Sequence, residues 1–410
     1  MDSNFNLNFQ HPLIPNPQDY VIDKKYVSIH SEDRDVIKFP KAHDFEIELP
    51  QDYNNVYSAR LTSWTFASNY DTFSIATYNI TLIYRFIGLY NPSDHSFSND
   101  LQNEIYKALY YHQNIYGTDE FFFNIESGFY TPIQMATELT NKMNATITSF
   151  LMKSLPTYVQ QEFINQGGYN EFVVAYNQVG QNLYFGNKSS QFELVNASEL
   201  LNGILYGVDA EYLKCVTNSS VPPFVNFGLP YNLGFERINV GSVVFPSNEL
   251  PRFYYGDAIK PGDNGYWLMP NVNLPGSQVS VIIAPYKLNN MGPSHFYMEI
   301  DGLNCMDETS PYVLNKFTST TNETNGVVNS AFAKIPITST PLSQFYDKGS
   351  EEYKYFNPPK DRIRRLRIKL RYHDNLPIVF GKFPYSFNIE FTMLTPINKK
   401  KYDTTRSYLT

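Results

Sequence analysis

From residue 25 onward the chain alternates apolar and polar side chains, the period-two pattern of half-buried β-strands. In "DFEIELP", Phe45, Ile47 and Leu49 fall on one face and Glu46 and Glu48 on the other. In "YSFNIEFTML", Phe387, Ile389 and Phe391 oppose Asn388, Glu390 and Thr392. "KYVSIHS", "NVYSARLTSWTFA", "YNITLIYRFI", "QFELVN", "SVVFP", "GYWLMP", "QVSVIIAP", "HFYMEIDG", "AFAKIPI" and "PIVFG" read as further strands. "EFVVAYNQVGQNLYFGN" reads as a hairpin around Val179-Gly180-Gln181-Asn182. Polar stretches rich in Pro, Gly, Asn and Asp separate them, among them "EDRDVIKFPKAH" and "LPQDYNNV".

Helical periodicity is clearest in "TPIQMATELTNKMNATITSFLMKSL". There Ile133, Ala136, Leu139, Met143, Ile147 and Phe150 or Leu151 make one apolar stripe, suited to covering a sheet. Thr131 at the N-cap, Pro132 at the first helical position and Gln134 at the third form a capping box, and Pro156 ends the helix. "LQNEIYKALYYH" and "SELLNGILYG" are shorter helix candidates. One long helix cannot provide the crossovers of a parallel sheet. The predicted class is therefore all-β dominated: a jelly-roll-type β-sandwich, one decorated or two β-domains, with a few inserted helices. The expected organisation is an extended N-terminal arm over 1–24 and a first β region over 25–200, with helical insertions at about 101–112 and 131–155. A second β region over 201–395 and a basic tail over 396–410 complete it.

Composition sharpens this picture. The chain carries 33 Tyr and 31 Phe but two Trp, an aromatic supply suited to strands and to surfaces packed against neighbours. Its net charge of −8 argues against a nucleic-acid coat. Cys215 and Cys305 form no CxxC, and the seven histidines offer no i, i+4 pair, so neither a disulfide framework nor a metal site is expected. "SEDRD" (31–35) lacks the spacing of a calcium loop and reads as a turn. No phosphate-cradling, dinucleotide, HExxH or GxSxG signature occurs. The expectation is a non-enzyme with no catalytic, cofactor or metal residues. The first 20 residues lack the basic and apolar regions of a signal peptide, and no apolar run approaches 18 residues.

One segment departs from the acidic balance. "RIRRLRIKLRYHD" (362–374) holds six cations, and period two turns Leu366, Ile368 and Leu370 inward and Arg365, Arg367, Lys369 and Arg371 outward. Two readings follow. The cations pair with acidic neighbours such as Glu46 and Glu48, or they join Lys399, Lys400 and Lys401 in gripping nucleic acid or an anionic surface. Single-strand binding wants aromatics interleaved with the cations, and here the interleaved residues are Leu and Ile. Pairing is the preferred reading, and nucleic acid is disfavoured as a partner.

Several segments together resemble one family. They are "SIHSEDRDVIKFPKAHDFEIELPQDYNNVYSARLTSWTFA", "IESGFYTPIQMATELTNKMN", "YNLGF", "AFAKIPI", "RIRRLRIKLRYHDNLPIVF" and "YSFNIEFTML", running from about residue 26 to 394. In this order they resemble the minor capsid and penton-type structural proteins of large nucleocytoplasmic DNA viruses, the giant viruses. The resemblance implies a jelly-roll core and a non-enzymatic virion component assembled in the host cytoplasm. It implies contacts with the major capsid protein, with other minor capsid proteins and with further copies of the chain as a homo-oligomer. Nothing in the sequence supports contact with an inner membrane. A single jelly-roll needs about half this length, so a second β-domain or large insertions are expected.

Overall fold

The alternation that opens the chain is realised in two long strands, β1 (Tyr20–His30) and β2 (Asp44–Ala67). There follow β3 (Thr81–Phe86), α1 (Asp100–Tyr116), β4 (Phe121–Asn124), α2 (Pro132–Ser154) and α3 (Thr157–Asn165). Next come β5 (Phe172–Asn177), β6 (Asn182–Asn187), β7 (Phe192–Leu194) and the short α4 (Leu229–Asn232). The series continues with β8 (Val240–Gly241), β9 (Val243–Phe245), β10 (Val279–Ile283) and β11 (His295–Ile300). Last are β12 (Met306–Glu308), β13 (Asn329–Ala331), β14 (Ala333–Pro336), β15 (Gln344–Lys348), β16 (Lys354–Arg371) and β17 (Ser386–Pro396). This computed structural model describes residues 20–68, 71–75, 79–88, 99–116, 120–196, 228–236, 238–246, 248–252, 267–271, 278–309, 329–338, 344–348, 352–373 and 377–396.

The chain divides into two units: Met1–Tyr70 with Pro293–Val313 and Thr324–Thr410, and Asp71–Gly292 with Leu314–Glu323. This differs from the expected division near residue 200. The reason is pairing at long range. In unit 1 the sheet order is β1-β17-β2-β16-β11-β14, with β15 also on β2, so the two ends of the sequence share hydrogen bonds. Tyr20 faces Pro396 and His30 faces Ser386 across an antiparallel ladder. A sequential split would cut this sheet in half.

The apolar faces of these strands meet in one core. Phe66 on β2 touches Phe296 on β11 edge-on at 4.9 Å and stacks on Tyr385 at 4.9 Å, while Tyr53 meets Phe391 at 5.0 Å. Unit 2 is a sandwich of two four-stranded antiparallel sheets, β5-β6-β10-β9 and β4-β3-β7-β8. Tyr84, Phe86 and Phe192 from one sheet surround Phe172 from the other at 5.1 to 5.7 Å. The observed class is thus the expected one, antiparallel β-sandwich with inserted helices.

Helix α2 begins as predicted. The Thr131 hydroxyl accepts from the Gln134 N–H, and the Gln134 side chain accepts from the Thr131 N–H. The helix buries Met135, Ala136, Leu139, Met143, Ile147 and Leu151, whereas Ile133, expected on that face, is exposed. Beside the apolar stripe runs a polar one. Thr140, Asn144 and Thr148, spaced i, i+4 and i+8, lie along the chain at the edge of β5. Asn144 donates to Phe172 C=O at 2.8 Å and accepts from Phe172 N–H at 3.0 Å, and Thr140 accepts from Val174 N–H at 2.8 Å. The helix thereby does for this edge what another strand would do, satisfying its backbone without inviting a foreign strand. Asn144→Ala is expected to destabilise by about 1–3 kcal/mol, since it strands one donor and one acceptor. Hydrogen exchange should show the Phe172 amide losing protection while those of β6 keep theirs.

Other expectations need correction. Residues 20–24, assigned to the arm, are the first part of β1, because β17 extends far enough to pair with them. The rest of the arm, Lys399, Lys400, Lys401 and "SELLNGILYG" lie outside the described residues. The "LPQDYNNV" turn does not occur. β2 runs through it with Asn55 at φ 50°, and the register against β16 slips instead, Tyr53 facing Ile363 while Glu48 faces Arg365. "GYWLMP" and "PIVFG" form no strand in their described residues: Leu268 packs with Val279 and Val281, and Pro377 makes a single bridge to Arg371.

Candidate functional site

Strand β16 carries the cations that the sequence singles out. Its alternation holds from Leu366 to Leu370, with Leu366, Ile368 and Leu370 buried and Arg365 and Arg367 exposed. N-terminal to it the register slips, and Arg364 and Arg365 both face solvent.

Pairing with β2 then decides what the cations meet. Arg365 lies opposite Glu48, Arg367 opposite Glu46 and Lys369 opposite Asp44. Arg364 grips the Glu48 carboxylate through Nε at 2.8 Å and a terminal nitrogen at 2.6 Å. That contact holds the Glu48 carboxyl below the usual range, and the guanidinium is raised in turn. Arg362 reaches Asp52 at 3.3 Å, and Arg365 sits 3.6 Å from Glu46 and 3.8 Å from Glu48. Arg367 meets both oxygens of Asp44 at 3.2 Å, and Lys369 lies 3.7 Å from Glu299 on β11. The hydrogen bond to Asp44 raises the Arg367 guanidinium.

Arg371 departs from the sequence expectation. It is fully buried, because β12 and the Tyr372–His373 segment cover this end of the strand. Its Nε bonds Glu299 and its terminal nitrogens bond Glu308. The same guanidinium lies 5.3 Å from the centre of the Tyr297 ring, and His373 Nδ1 is 3.1 Å from Glu308. Burial alone would depress the guanidinium; the hydrogen bonds it donates to Glu308 and Glu299, with the attraction of their charges, outweigh this and leave it raised.

Six cations (Arg362, Arg364, Arg365, Arg367, Lys369, Arg371) therefore face six carboxylates (Asp44, Glu46, Glu48, Asp52, Glu299, Glu308). The ribbon is neutral by pairing. Among the described residues no group of His, Cys, Asp and Glu is placed to hold a metal, and no helix is long and apolar enough to cross a membrane. No protein-family model matches the chain, and no curated protein matches its sequence. The crystal structure of mavirus penton protein is similar to it at 9% identity and a TM-score of 0.36, over 91% of this chain and all of that one. Overlap at that level transfers neither a fold nor a function to this chain by itself.

Glu46 and Glu48 were expected opposite the strip from alternation alone. Asp44, Asp52, Glu299 and Glu308 were not. Glu299 alternates outward in "HFYMEIDG", a sign of an outer-face carboxylate, but nothing in the sequence states which strand lies beside it. A second charged group, expected on the outward polar face of "YSFNIEFTML", is instead buried. Glu390 on β17 is buried between Tyr26 on one neighbouring strand and Arg60 on the other, its register partners.

The exposed part of the ribbon adds little stability, since surface pairs are screened and weak. Reversing Arg365, Arg367 and Lys369 to Glu is expected to leave the protein folded with a small drop in thermal midpoint. The drop should shrink in high salt, because the new side chains face Glu46, Glu48, Asp44 and Glu299 and salt screens that repulsion. Thermal melts at two ionic strengths check this.

Proposed function

We propose that this protein is a structural component of a viral capsid, of minor capsid or penton type, acting through protein–protein contacts in an icosahedral shell. The observation that carries the reading concerns the segments that resemble such proteins. Four of the six, scattered from about residue 26 to 394, fall on β1 and β2, β14, β16 and β17, strands that lie together in the unit 1 sheet, while "YNLGF" lies at the end of α4 in unit 2. The "IESGFYTPIQMATELTNKMN" segment supplies the capped start of α2. Partners on this reading are the major capsid protein, other minor capsid proteins and further copies of the chain, and the place of action is the virion, assembled in the host cytoplasm. The protein works by contact and not by catalysis.

The neutral ribbon counts against the competing reading, a grip on nucleic acid or an anionic surface through residues 362–371 with Lys399–Lys401. Phosphate contacts need cations free to displace the counterions condensed on the nucleic acid, and here carboxylates hold those cations. Light scattering of the purified protein at low and high salt, with and without mixed-sequence single-stranded DNA, tests the proposal. A salt-resistant oligomer that ignores the DNA is expected. A DNA complex that dissolves in salt would overturn it in favour of the competing reading.

A further inference from the structure

We propose that the loop between β1 and β2 is a docking knob that seats in the groove beside the start of α2 on a second copy of this chain. This rests on the reading of the protein as an assembly component and names the surfaces involved.

The loop is built to hold its shape. Both feet are tied to one core residue: Ser31 N–H donates to Tyr385 C=O at 2.9 Å, the Ser31 hydroxyl accepts from Tyr385 N–H at 2.9 Å, and Tyr385 OH donates to Ala42 C=O at 2.6 Å. Inside the loop, Arg34 donates to the carbonyls of Ser31, Phe39 and Pro40. The Asp35 carboxylate caps Ile37 and Lys38 N–H at 3.0 and 3.1 Å. All this polar structure holds an apolar tip in water: Ile37 is 94% exposed and Val36 56%. Single exposed apolar residues are common, but a tip fixed by a staple and a cap is preorganised, and such a tip loses little freedom on binding.

The groove has matching chemistry. It is open, about 420 Å³, and Phe129, Tyr130, Ile133, Thr137, Glu126 and Glu138 are among the residues that line it. Ile133 is 61% exposed although it belongs by period to the apolar stripe of α2. Both carboxylates act on the groove's tyrosine: the Tyr130 phenol is pushed up to about 12 by burial and then by Glu138 and Glu126. Lys142, 3.8 Å from Glu138, lies one turn further along the helix. On the knob, Lys38 and Lys41 follow the tip while Glu32 and Asp33 precede it. An apolar tip followed by Lys38 and Lys41 thus meets a lining that sets Phe129, Tyr130 and Ile133 beside the carboxylates of Glu126 and Glu138. Knob and groove are different surfaces, so the contact is heterologous and each copy can both give and receive.

Ile37→Asp removes the knob and Ile133→Asp the groove, and both sites are exposed, so folding should survive; equal thermal midpoints verify it. Light scattering is expected to show that the native chain self-associates, and that each variant shifts the midpoint of association to concentrations higher by a factor of about ten or more. An equimolar mixture of the two variants should form a pair and stop there, because only one intact knob and one intact groove meet. Lys38→Glu should weaken association, and adding Glu138→Lys should restore it. If the native chain associates and both variants do so equally, these surfaces are wrong and the assembly reading stands. If the native chain stays a monomer at its highest soluble concentration, the contact between copies is refuted, while the salt and DNA measurement still judges the broader reading. A mixture of two folded variants that fails to pair would refute the knob-in-groove arrangement.

Discussion

Replacing Arg371 with methionine is expected to destabilise the protein by about 3–5 kcal/mol, the range for breaking a buried ion pair from one side. Methionine fills much of the same space, so the loss comes from charge and not from a cavity. Glu308, its side chain 2% exposed, would keep His373 nearby but lose the guanidinium that neutralises it, and Glu299 would lose its bond to Nε. Urea denaturation should show a lower midpoint at unchanged slope. Arg371→Met combined with Glu299→Leu and Glu308→Leu should recover most of the loss, because a whole ionic group replaced by packed apolar side chains is close to neutral. A single-variant loss under about 1 kcal/mol would mean that the carboxylates are no more committed than a surface pair.

Glu390→Gln is expected to destabilise by about 1.5–3 kcal/mol at neutral pH, the range for hydrogen bonds to a charged group. Arg60 donates to its carboxylate through Nε at 3.3 Å and a terminal nitrogen at 2.9 Å, and Lys24 Nζ lies 3.1 Å from the other oxygen. Burial pushes the carboxyl up, but the bonds from Arg60, Lys24 and Tyr26 more than offset this and hold it below its ordinary value of 4.5. The unfolded chain therefore takes up the proton first as pH falls. The stabilisation is fully present above about 4.5 and is lost as pH drops through the lower, folded value. Native and variant melting curves should accordingly stay apart at neutral pH and converge in acid. A gap that persists unchanged in acid would show that the carboxylate charge is not what Arg60 and Lys24 require.

Much of this was legible in local pattern. Alternation located β17 and the inward face of β16, because period two depends only on which residues a half-buried strand can turn inward. The capping box set the start of α2, since its two hydrogen bonds close within four residues. Glu46 and Glu48 were correctly expected to oppose the strip, as opposite charges on alternating strands favour facing one another. Periodicity misjudged Ile133, because it says which side a residue takes and not how far the covering layer extends. It misjudged Arg371 for the converse reason: the outer face of β16 is solvent along Arg365 and Arg367 and roofed at Arg371.

By itself, then, the sequence determined the class of structure, the helix with its cap, and the presence of a charged strand face. These follow from interactions between residues a few positions apart. Only the tertiary structure decided that the two ends of the chain share one sheet, that six carboxylates neutralise the six cations, and that Arg371 and Glu390 are buried. Each of those depends on which strand lies beside which. In a sheet that choice is made by hydrogen bonds and side-chain packing between residues hundreds of positions apart, and local periodicity carries no record of it.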